Sequence, residues 1–401
     1  MHEKFIARQP IFDQRLRVYA YELLFRGGPQ NFFQPSKTAS ASVIADSVTL
    51  SDLQMLTGHS RAFINVDELA LRLGAPRLLP PNRIVVEILE TVPPTEEIVK
   101  ICADLRATGY LLALDDFVDA PGMKPLVDLA HFLKVDFQLM DSDARKRVAG
   151  KYGGNELSLL AEKVETARDL EEARGLGFSY FQGYFFCKPS MIETREIPGN
   201  KLINLQLLNA VASPELNYPV IEGLLKQEPS LLYRLLRYLN SPVLGLRTEV
   251  HSIRQALTLL GENEFRRWVS IFAVIAMSSG KPPELVRTAL TRAYFCEEFS
   301  ASAGLAAQSS SLFLMGLLSI TDALLDKPIK DVLGSLPIAQ EVKTALCGGE
   351  NRFRDVYELL LAMERAEWPQ LSNLSGRLGC PEETVPDSYQ AAIQRASAIS
   401  V

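Results

Sequence analysis

Two adjacent carboxylates end an apolar run in the stretch YLLALDDFVD, residues 110–119. The apolar part is short for a helix, so it predicts a buried strand that delivers Asp115 and Asp116 to its C-terminal end. Burial of two neighbouring like charges is costly unless a cation or a basic group holds them. The pair therefore indicates a positively charged partner, either a bound cation or a basic side chain. The ordinary alternative is that one aspartate caps the next helix and the other lies in solvent.

Other apolar runs on either side of this stretch also end in polar residues. Taken singly, each of these residues is adequately explained by a helix cap, a surface ion pair or a strand-end hydrogen bond. Their recurrence along the first half of the chain favours a common site. The residues are Glu22, Asn65, Glu87, Lys134, Glu162 and Gln182.

The elements that must position these residues alternate between strands and helices. FIARQPIF and LRVYAYELLF flank a short polar turn and predict a β-hairpin. Further strand-like runs follow at intervals of roughly 20 to 30 residues, with amphipathic helical patterns between them, as a parallel barrel requires. We therefore predict an α/β TIM-like (β/α) barrel with one antiparallel strand, followed by an all-α helical domain.

Such a barrel gives the polar residues one location, because the C-terminal ends of its strands converge on a single face. Carboxylate and amide oxygens there suit hard divalent cations such as Mg²⁺ or Mn²⁺. Two such ions about 3.5–4 Å apart can activate water and clamp a phosphodiester for in-line displacement. Lys134 would then stabilise charge or orient the water.

The second half of the chain changes character after residues 188–200, a polar stretch that contains Pro189, Pro198 and Gly199. This stretch predicts a boundary. The segments that follow, among them LINLQLLNAV and EFRRWVSIFAVIAM, place apolar residues with helical periodicity. We predict a barrel over residues 1–192 and a helical domain over residues 193–401.

Composition and charge limit the classes of function. The chain has 401 residues, 47% of them hydrophobic and 22% charged, which is ordinary for a soluble globular protein. A net charge of −6 disfavours nucleic acid as the main partner. The sequence has neither a signal peptide pattern nor an apolar stretch of membrane-spanning length, so we expect a cytoplasmic location. The cysteines lie far apart, which disfavours zinc or a disulfide framework.

Motifs in the first half resemble, in order, the signature motifs of EAL domains, the bacterial phosphodiesterases that linearise cyclic di-GMP. The resemblance covers about residues 3–192. The motifs are YELLFR at residues 21–26, INVD at 64–67, VEILE at 86–90, LDDF at 114–117, LKVD at 133–136, AEKVET at 161–166 and FQGYFFCKP at 181–189.

The resemblance implies a role for each matching residue and Mg²⁺ or Mn²⁺ as cofactor. It implies that Lys134 lies beside the catalytic water and acts with Glu22 and Glu162. Gln182, Glu90, Glu165 and Arg26 are assigned to the substrate or to the active-site loop, which Glu90 would steady. The implied metal ligands are Glu22, Asn65, Glu87, Asp115 and Glu162, with Asp116 at a second metal.

Departures from the EAL pattern fall on the elements that hold metal and substrate. Glu22 is followed by Leu-Leu where the family has Ala-Leu, and the chain from Glu22 to Asn65 is shorter than in active relatives. Val118 stands where active members usually carry glycine, although it cannot adopt the positive φ that glycine can. Lys163 replaces the glycine of the common AEGVE. Hydrolysis therefore stays open.

Residues 202–275, with LNSP and SIRQALTLLG, resemble an HDOD domain, and the resemblance extends more weakly to the later helices. A related histidine-and-aspartate metal centre would need several imidazoles, but His251 is the one histidine of this half, and Asp322 has none near it in sequence. We predict a non-catalytic module that binds protein partners. Arg266 and Arg267 could form a contact surface, although a solvated arginine pair with Trp268 in the core is the favoured interpretation.

Two functions remain open. In the first, the barrel is a cyclic di-GMP phosphodiesterase that the helical half regulates, which the complete carboxylate set favours. In the second, it is a degenerate EAL scaffold or receptor that acts through protein contacts, which the altered loop favours. Motif order disfavours a phosphohydrolase for another ester. We expect a cyclic di-GMP signalling protein with protein partners, and a homodimer is one assembly that the sequence allows.

Overall fold

The structure is a computed structural model that describes residues 5–26, 50–154, 157–187, 199–213, 215–228, 233, 255, 259–334 and 336–399. Its chain forms two compact units. The first comprises Met1–Phe185 with Leu361–Leu371, and the second comprises Phe186–Leu360 with Ser372–Val401. Each unit buries its own set of hydrophobic side chains.

A closed barrel of eight described strands forms the first unit, with its strands paired in sequence order. Strand β1 runs antiparallel to both β2 and β8, and the other neighbours are parallel. The predicted TIM-like barrel with one antiparallel strand is therefore confirmed. The strands are β1 (Phe5–Asp13), β2 (Val18–Arg26), β3 (Arg61–Val66), β4 (Ile84–Ile88), β5 (Leu111–Leu114), β6 (Phe132–Asp136), β7 (Ser158–Glu162) and β8 (Tyr180–Gln182).

Helices follow the parallel strands, and four of those described begin at side-chain caps, from Asp67, Thr95, Asp141 and Thr166. Thr166, for example, forms a capping box with Asp169, and the Asp141 carboxylate accepts a hydrogen bond from the Ala144 N–H. Such caps fix where each strand-to-helix connection ends. The helices are α1 (Leu50–Thr57), α2 (Glu68–Arg72), α3 (Glu96–Ala107), α4 (Lys124–Val127), α5 (Ser142–Tyr152) and α6 (Ala167–Gly175), with 3₁₀ turns at Ala75–Leu78 and Tyr184–Cys187.

An apolar layer fills the lower part of the barrel, towards the N-terminal ends of the parallel strands. Every member is at most 4% exposed, so this part of the barrel is packed rather than hollow. Tyr19, Leu111 and Tyr180 pack against the layer. We call the following set the apolar layer: Ile11, Ala20, Phe63, Val85, Ala113, Phe132 and Leu160.

The chain after the barrel is helical, as the sequence predicts. Helix Pro283–Phe299 packs closely against helix Ser309–Leu318. The two are so near that a Cβ at Gly316 would collide with the Arg292 carbonyl. The helices are α7 (Gly199–Ala212), α8 (Tyr218–Gln227), α9 (Glu262–Met277), α10 (Pro283–Phe299), α11 (Ser309–Leu318), α12 (Thr321–Leu325), α13 (Ile329–Gly334), α14 (Gln340–Leu346), α15 (Arg352–Arg365), α16 (Trp368–Leu378) and α17 (Thr384–Ser397).

Trp268 lies in the core of the second unit, as expected, but its neighbours Arg266 and Arg267 are not a solvated pair. Arg266 donates to the carbonyls of Val211 and Ser213. Arg267 pairs with Glu297 at 2.5 Å, and only 15% of its side chain is exposed. The arginines thus join helices, because their long stems cover apolar surface while their heads find acceptors.

Within the described ranges, no helix combines the length and the apolar character that crossing a membrane requires.

Candidate active site

A polar layer lies directly above the apolar layer, towards the C-terminal ends of the parallel strands. Side chains alternate between the two faces of a strand, so the residue two positions along points the same way. In β2, for example, Glu22 follows Ala20 at this spacing, and in β6 Lys134 follows Phe132. The same step from the apolar layer, or from Tyr180 beside it, reaches Asn65, Glu87, Asp115, Glu162 and Gln182.

The ammonium of Lys134 lies at the centre of the polar layer. Its Nζ is 2.7 Å from Glu162 Oε1, 3.1 Å from Asp115 Oδ1 and 3.4 Å from Glu22 Oε2. It also contacts Glu87 Oε1. The Lys134 side chain is 1% exposed, so these ion pairs are shielded from solvent. The barrel therefore holds one ammonium among several buried carboxylates.

Amide side chains orient Glu22. Asn65 Nδ2 donates to Glu22 Oε1 at 2.9 Å, and Gln182 Nε2 donates to Glu22 Oε2 at 2.6 Å. Gln182 Nε2 also donates to Gln9 Oε1 at 3.0 Å. Gln9 was not predicted as a site residue. It precedes Ile11 of the apolar layer by two positions in the antiparallel strand, so the alternation counted backwards would have found it.

Burial shifts the pKa values of the central groups. Burial and the charge of Glu22 raise the pKa of Glu87 well above its usual value. Burial raises the pKa of Glu162 to about 8, although Lys134 opposes the shift. For Lys134, burial favours the neutral amine, but the surrounding carboxylates outweigh it and hold the pKa well above its usual value. Lys134 is therefore a cation at neutral pH.

The polar layer fits a divalent cation of the Mg²⁺ or Mn²⁺ kind. Glu22, Glu87 and Glu162 each offer a carboxylate oxygen, and these atoms lie within 4.8 Å of one another. Among the described residues, four buried oxygens of the layer have no hydrogen-bond donor, and all are of the hard type that these ions prefer. They are Glu87 Oε2, Glu162 Oε2, Asn65 Oδ1 and Gln182 Oε1.

A second carboxylate group lies beside the first. Glu90, Asp115 and Asp116 each offer an oxygen, again within 4.8 Å of one another. Asp116 has a φ of +39°, which strains an aspartate and is common at functional sites. The N–H of Phe117 donates to the Lys134 carbonyl at 2.8 Å and holds this turn against β6. Glu90, predicted to steady the loop, thus lies among possible ligands for a second ion.

Comparison with known proteins identifies the family to which the chain belongs. An EAL domain model matches residues 33–189, and an HDOD domain model matches residues 198–367. The cyclic di-GMP phosphodiesterase CdgJ of Vibrio cholerae is 36% identical over 390 residues, which span 96% of this chain and 90% of CdgJ. YuxH of Bacillus subtilis is 32% identical over 400 residues, 97% of both chains. The chain belongs to this family of EAL–HDOD proteins.

Solved EAL structures are more distant. The Bacillus subtilis YkuI protein, in complex with cyclic di-GMP and calcium, has 19% identity and a TM-score of 0.39, and the match covers 65% of this chain and 71% of YkuI. Klebsiella pneumoniae BlrP1, in a manganese and cyclic di-GMP complex, has 23% identity and a TM-score of 0.34, with coverage of 46% and 55%.

The EAL model match begins after Glu22, so the fold rather than that match places Glu22 in the site. Of the other predicted residues, Glu165 lies outside the polar layer, and for Arg26 only the backbone is described. Glu165 is exposed and accepts a hydrogen bond from Gln138 Nε2 at 2.5 Å. Arg26 ends β2, where its backbone pairs with Phe5. Their roles at the substrate or loop stay predictions.

Lys163, which replaces a glycine of the EAL pattern, has a backbone conformation that favours glycine. Its φ is +52°, in the left-handed region that side chains disfavour. Its Nζ pairs with Asp136, whose side chain is 3% exposed. Burial acts to raise the pKa of Asp136, but hydrogen bonds from Lys163 and from the Leu139 and Gln138 N–H groups prevail and lower it. The positive charge of Lys163 is therefore paired with the carboxylate at the end of β6.

The loop after β5, residues 115–123, is tied to the end of α5. Lys151 Nζ lies 2.6 Å from Asp119 Oδ2, and the Tyr152 hydroxyl donates to Asp119 Oδ1 at 2.6 Å. The rings of Phe117 and Tyr152 pack edge to face at 5.4 Å. Val118 is 64% exposed and is not among the described residues with positive φ. The described residues of this loop with positive φ are Asp116 and Gly122.

Proposed function

We propose that the EAL barrel of this protein is a phosphodiesterase that opens cyclic di-GMP with Mg²⁺ or Mn²⁺ as cofactor. The observation that carries the proposal is the polar layer, in which the predicted oxygen ligands surround Lys134 and several oxygens have no donor among the described residues. The name of CdgJ, similar over nearly the whole chain, supports the choice of substrate.

The residues would divide the work as follows. Glu22, Asn65, Glu87, Asp115 and Glu162 would hold one ion, and Asp116 would hold a second with Asp115. When bound, such ions polarise a phosphoryl oxygen and lower the pKa of bound water.

Positioning would fall to the remaining side chains. Asn65 and Gln182 keep Glu22 in one orientation through the hydrogen bonds described above. Lys134 would hold the attacking water through its Nζ and place a positive charge beside the phosphate. Such fixed charges are effective in a site shielded from solvent.

Chromatography of cyclic di-GMP after incubation with the protein and Mn²⁺ or Mg²⁺ tests the proposal. We expect the linear dinucleotide from the parent. We expect at least about 100-fold less from Glu87→Gln, which keeps the shape of a buried ligand but removes its charge. Glu171→Gln, an equal change at an exposed position on α6, is the matched control and should retain activity. Intact nucleotide with the parent would contradict hydrolysis.

A receptor without hydrolysis is the second candidate. The observation that favours it is the altered loop, which carries Val118 in place of glycine and is tied to α5 through Asp119. Calorimetric titration of cyclic di-GMP in the presence of Ca²⁺ separates the two. Binding without turnover in Mn²⁺ would establish a receptor, and absence of binding would leave a scaffold.

For the HDOD half we propose a non-catalytic role in binding protein partners. Among the described residues, both groups of side chains that could hold a metal lie in the barrel. A homodimer is a further proposal. Light scattering of the purified full chain would test it, and a monomeric mass over the working concentration range would exclude it.

A further inference from the structure

The ammonium of Lys134 occupies the space that the metal ligands share. It contacts Glu22, Glu87 and Glu162, the three residues whose oxygens lie within 4.8 Å of one another, and Asp115 as well. The side chain is 1% exposed, so solvent does not separate it from these oxygens. Lys134 thus makes, with one positive charge, the contacts that a divalent cation would make.

A cation bound by the same oxygens would lie close to the ammonium. Mg²⁺ binds oxygen at about 2.0–2.1 Å, whereas Nζ already lies 2.7 Å from Glu162 Oε1 and 3.1 Å from Asp115 Oδ1. The divalent ion and the ammonium, both positive and both in contact with the same oxygens, would repel each other strongly in a site shielded from water. The ammonium therefore has to withdraw when the ion enters, and the flexible four-carbon stem of lysine allows this.

We propose that Lys134 is an internal counter-cation that competes with the divalent ion for the polar layer, so that metal binding is an exchange of ion for ammonium. The inference rests on the proposed function for the identity of the metal ligands. The exchange would keep the barrel folded when metal is scarce, because the carboxylates retain a partner. It would also lower the affinity for the ion, because each binding event breaks the contacts of Lys134.

Lys163 provides a matched control for charge. It follows the ligand Glu162 directly, yet its ammonium pairs with Asp136, and 47% of its side chain is exposed. Lys163→Met removes the same positive charge from the neighbourhood of the site without emptying the centre of the polar layer. A general change in the electrostatic field would affect both methionine variants, whereas competition would affect Lys134→Met alone.

The test is calorimetric titration of Mn²⁺ into the EDTA-stripped full chain without nucleotide, with thermal unfolding in EDTA and in Mn²⁺. We expect Lys134→Met to bind Mn²⁺ at least about tenfold more tightly than the parent, since its ligands are no longer occupied. We also expect a lower melting temperature in EDTA and a larger rise on addition of Mn²⁺. Lys163→Met should match the parent in affinity.

Equal or weaker affinity of Lys134→Met, or an equal gain in Lys163→Met, would overturn the exchange. If Lys134→Met does not fold in either condition, Lys134→Arg decides the matter. Arginine retains a cation, so affinity at or below that of the parent supports competition and a clear gain overturns it. Failure of the phosphodiesterase proposal is separate, because a parent that binds Mn²⁺ but leaves cyclic di-GMP intact can still show the exchange.

Discussion

The backbone and the side chain of Lys163 have opposite effects on the stability of the fold. Its φ of +52° costs about 1–2 kcal/mol for a residue with a Cβ, while its ammonium pairs with the buried carboxylate of Asp136. The pair holds the turn after β7 against β6, beside the proposed ligand Glu162. The strain and the ion pair therefore contribute to the same turn with opposite sign.

Lys163→Gly and Lys163→Ala separate these two contributions. Both variants lose the ion pair with Asp136, but only glycine adopts the left-handed conformation without strain. We expect the glycine variant to be more stable than the alanine variant by about 1 kcal/mol, measured by urea unfolding. Equal stability of the two would show that the backbone at this position is not strained.

Protons should compete with the metal ion in the polar layer. The pKa of Glu162 is raised to about 8, so below that pH the folded, metal-free protein holds a proton there. Because protonation favours the folded state, this contribution is lost as pH rises towards 8. An ion binds the ionised carboxylate, so its apparent affinity should increase with pH and level off above about 8. At pH 7 the calorimetric heat should depend on the buffer, because protons are released.

Much of the polar layer could be predicted at this scale, because a polar residue interrupts or ends the apolar run of each of these strands at a position that points inwards. Glu22, Asn65 and Glu87 are examples. Gln9 could not be found in the same way, because it lies in the one antiparallel strand and precedes its apolar neighbour. Lys163 follows β7 and Asp136 ends β6, so no local pattern in the sequence indicates their contact.

At the scale of elements, the loop after β5 depends on α5. Asp119 receives hydrogen bonds from Lys151 and Tyr152, and Phe117 packs on the Tyr152 ring. Residues 115 and 116 at the start of this loop are the proposed ligands of the second ion. The end of α5 therefore positions Asp116 through the loop.

Asp119→Asn and Tyr152→Phe should weaken binding of the second ion and leave binding of the first unchanged. We expect the affinity of the weaker Mn²⁺ step in calorimetry to fall by about tenfold, as for other outer partners of metal ligands. The tighter step should change little. Asp128→Asn is the control, since it removes an exposed ion pair with Lys124 on a neighbouring helix. Unchanged weaker binding in both test variants would show that the contact with α5 does not position Asp116.

The strands and the opening hairpin were predictable because each is a short apolar run bounded by polar or turn residues. The closure of the barrel was not visible locally. It depends on the antiparallel pairing of β1 with β8, in which Ile11 lies opposite Gln182. Before β3 the sequence also has a helical pattern, from about Thr38 to Leu56. The structure describes Leu50–Thr57 as a helix, and the part before residue 50 lies outside the described residues.

At the scale of the whole molecule, each compact unit has its own core, and the proposed metal ligands all lie in the first. Residues Leu361–Leu371 group with that unit, which no sequence pattern indicates because their packing partners are distant along the chain. The predicted boundary at residues 192 and 193 stays a prediction.

Metal should protect the barrel selectively. An ion that binds only the folded barrel stabilises the unit that holds it. We expect hydrogen exchange in Mn²⁺ to slow in β2, β4 and β7 and to change little in α10 and α11, as measured by mass spectrometry. Asp115→Ala should abolish the protection while the helices exchange as before. Equal protection of both units, or protection that survives Asp115→Ala, would contradict the assignment of the site.

The apolar layer affects how a solute enters and leaves the polar layer. It closes the barrel beneath the polar layer with side chains such as Ile11, Phe63 and Phe132. Within the described part of the barrel, this layer closes the N-terminal side, so a solute reaches and leaves the polar layer past the C-terminal ends of the strands. For the proposed reaction, a product that lingers blocks the next substrate, so departure of the linear dinucleotide would set how quickly the signal is cleared.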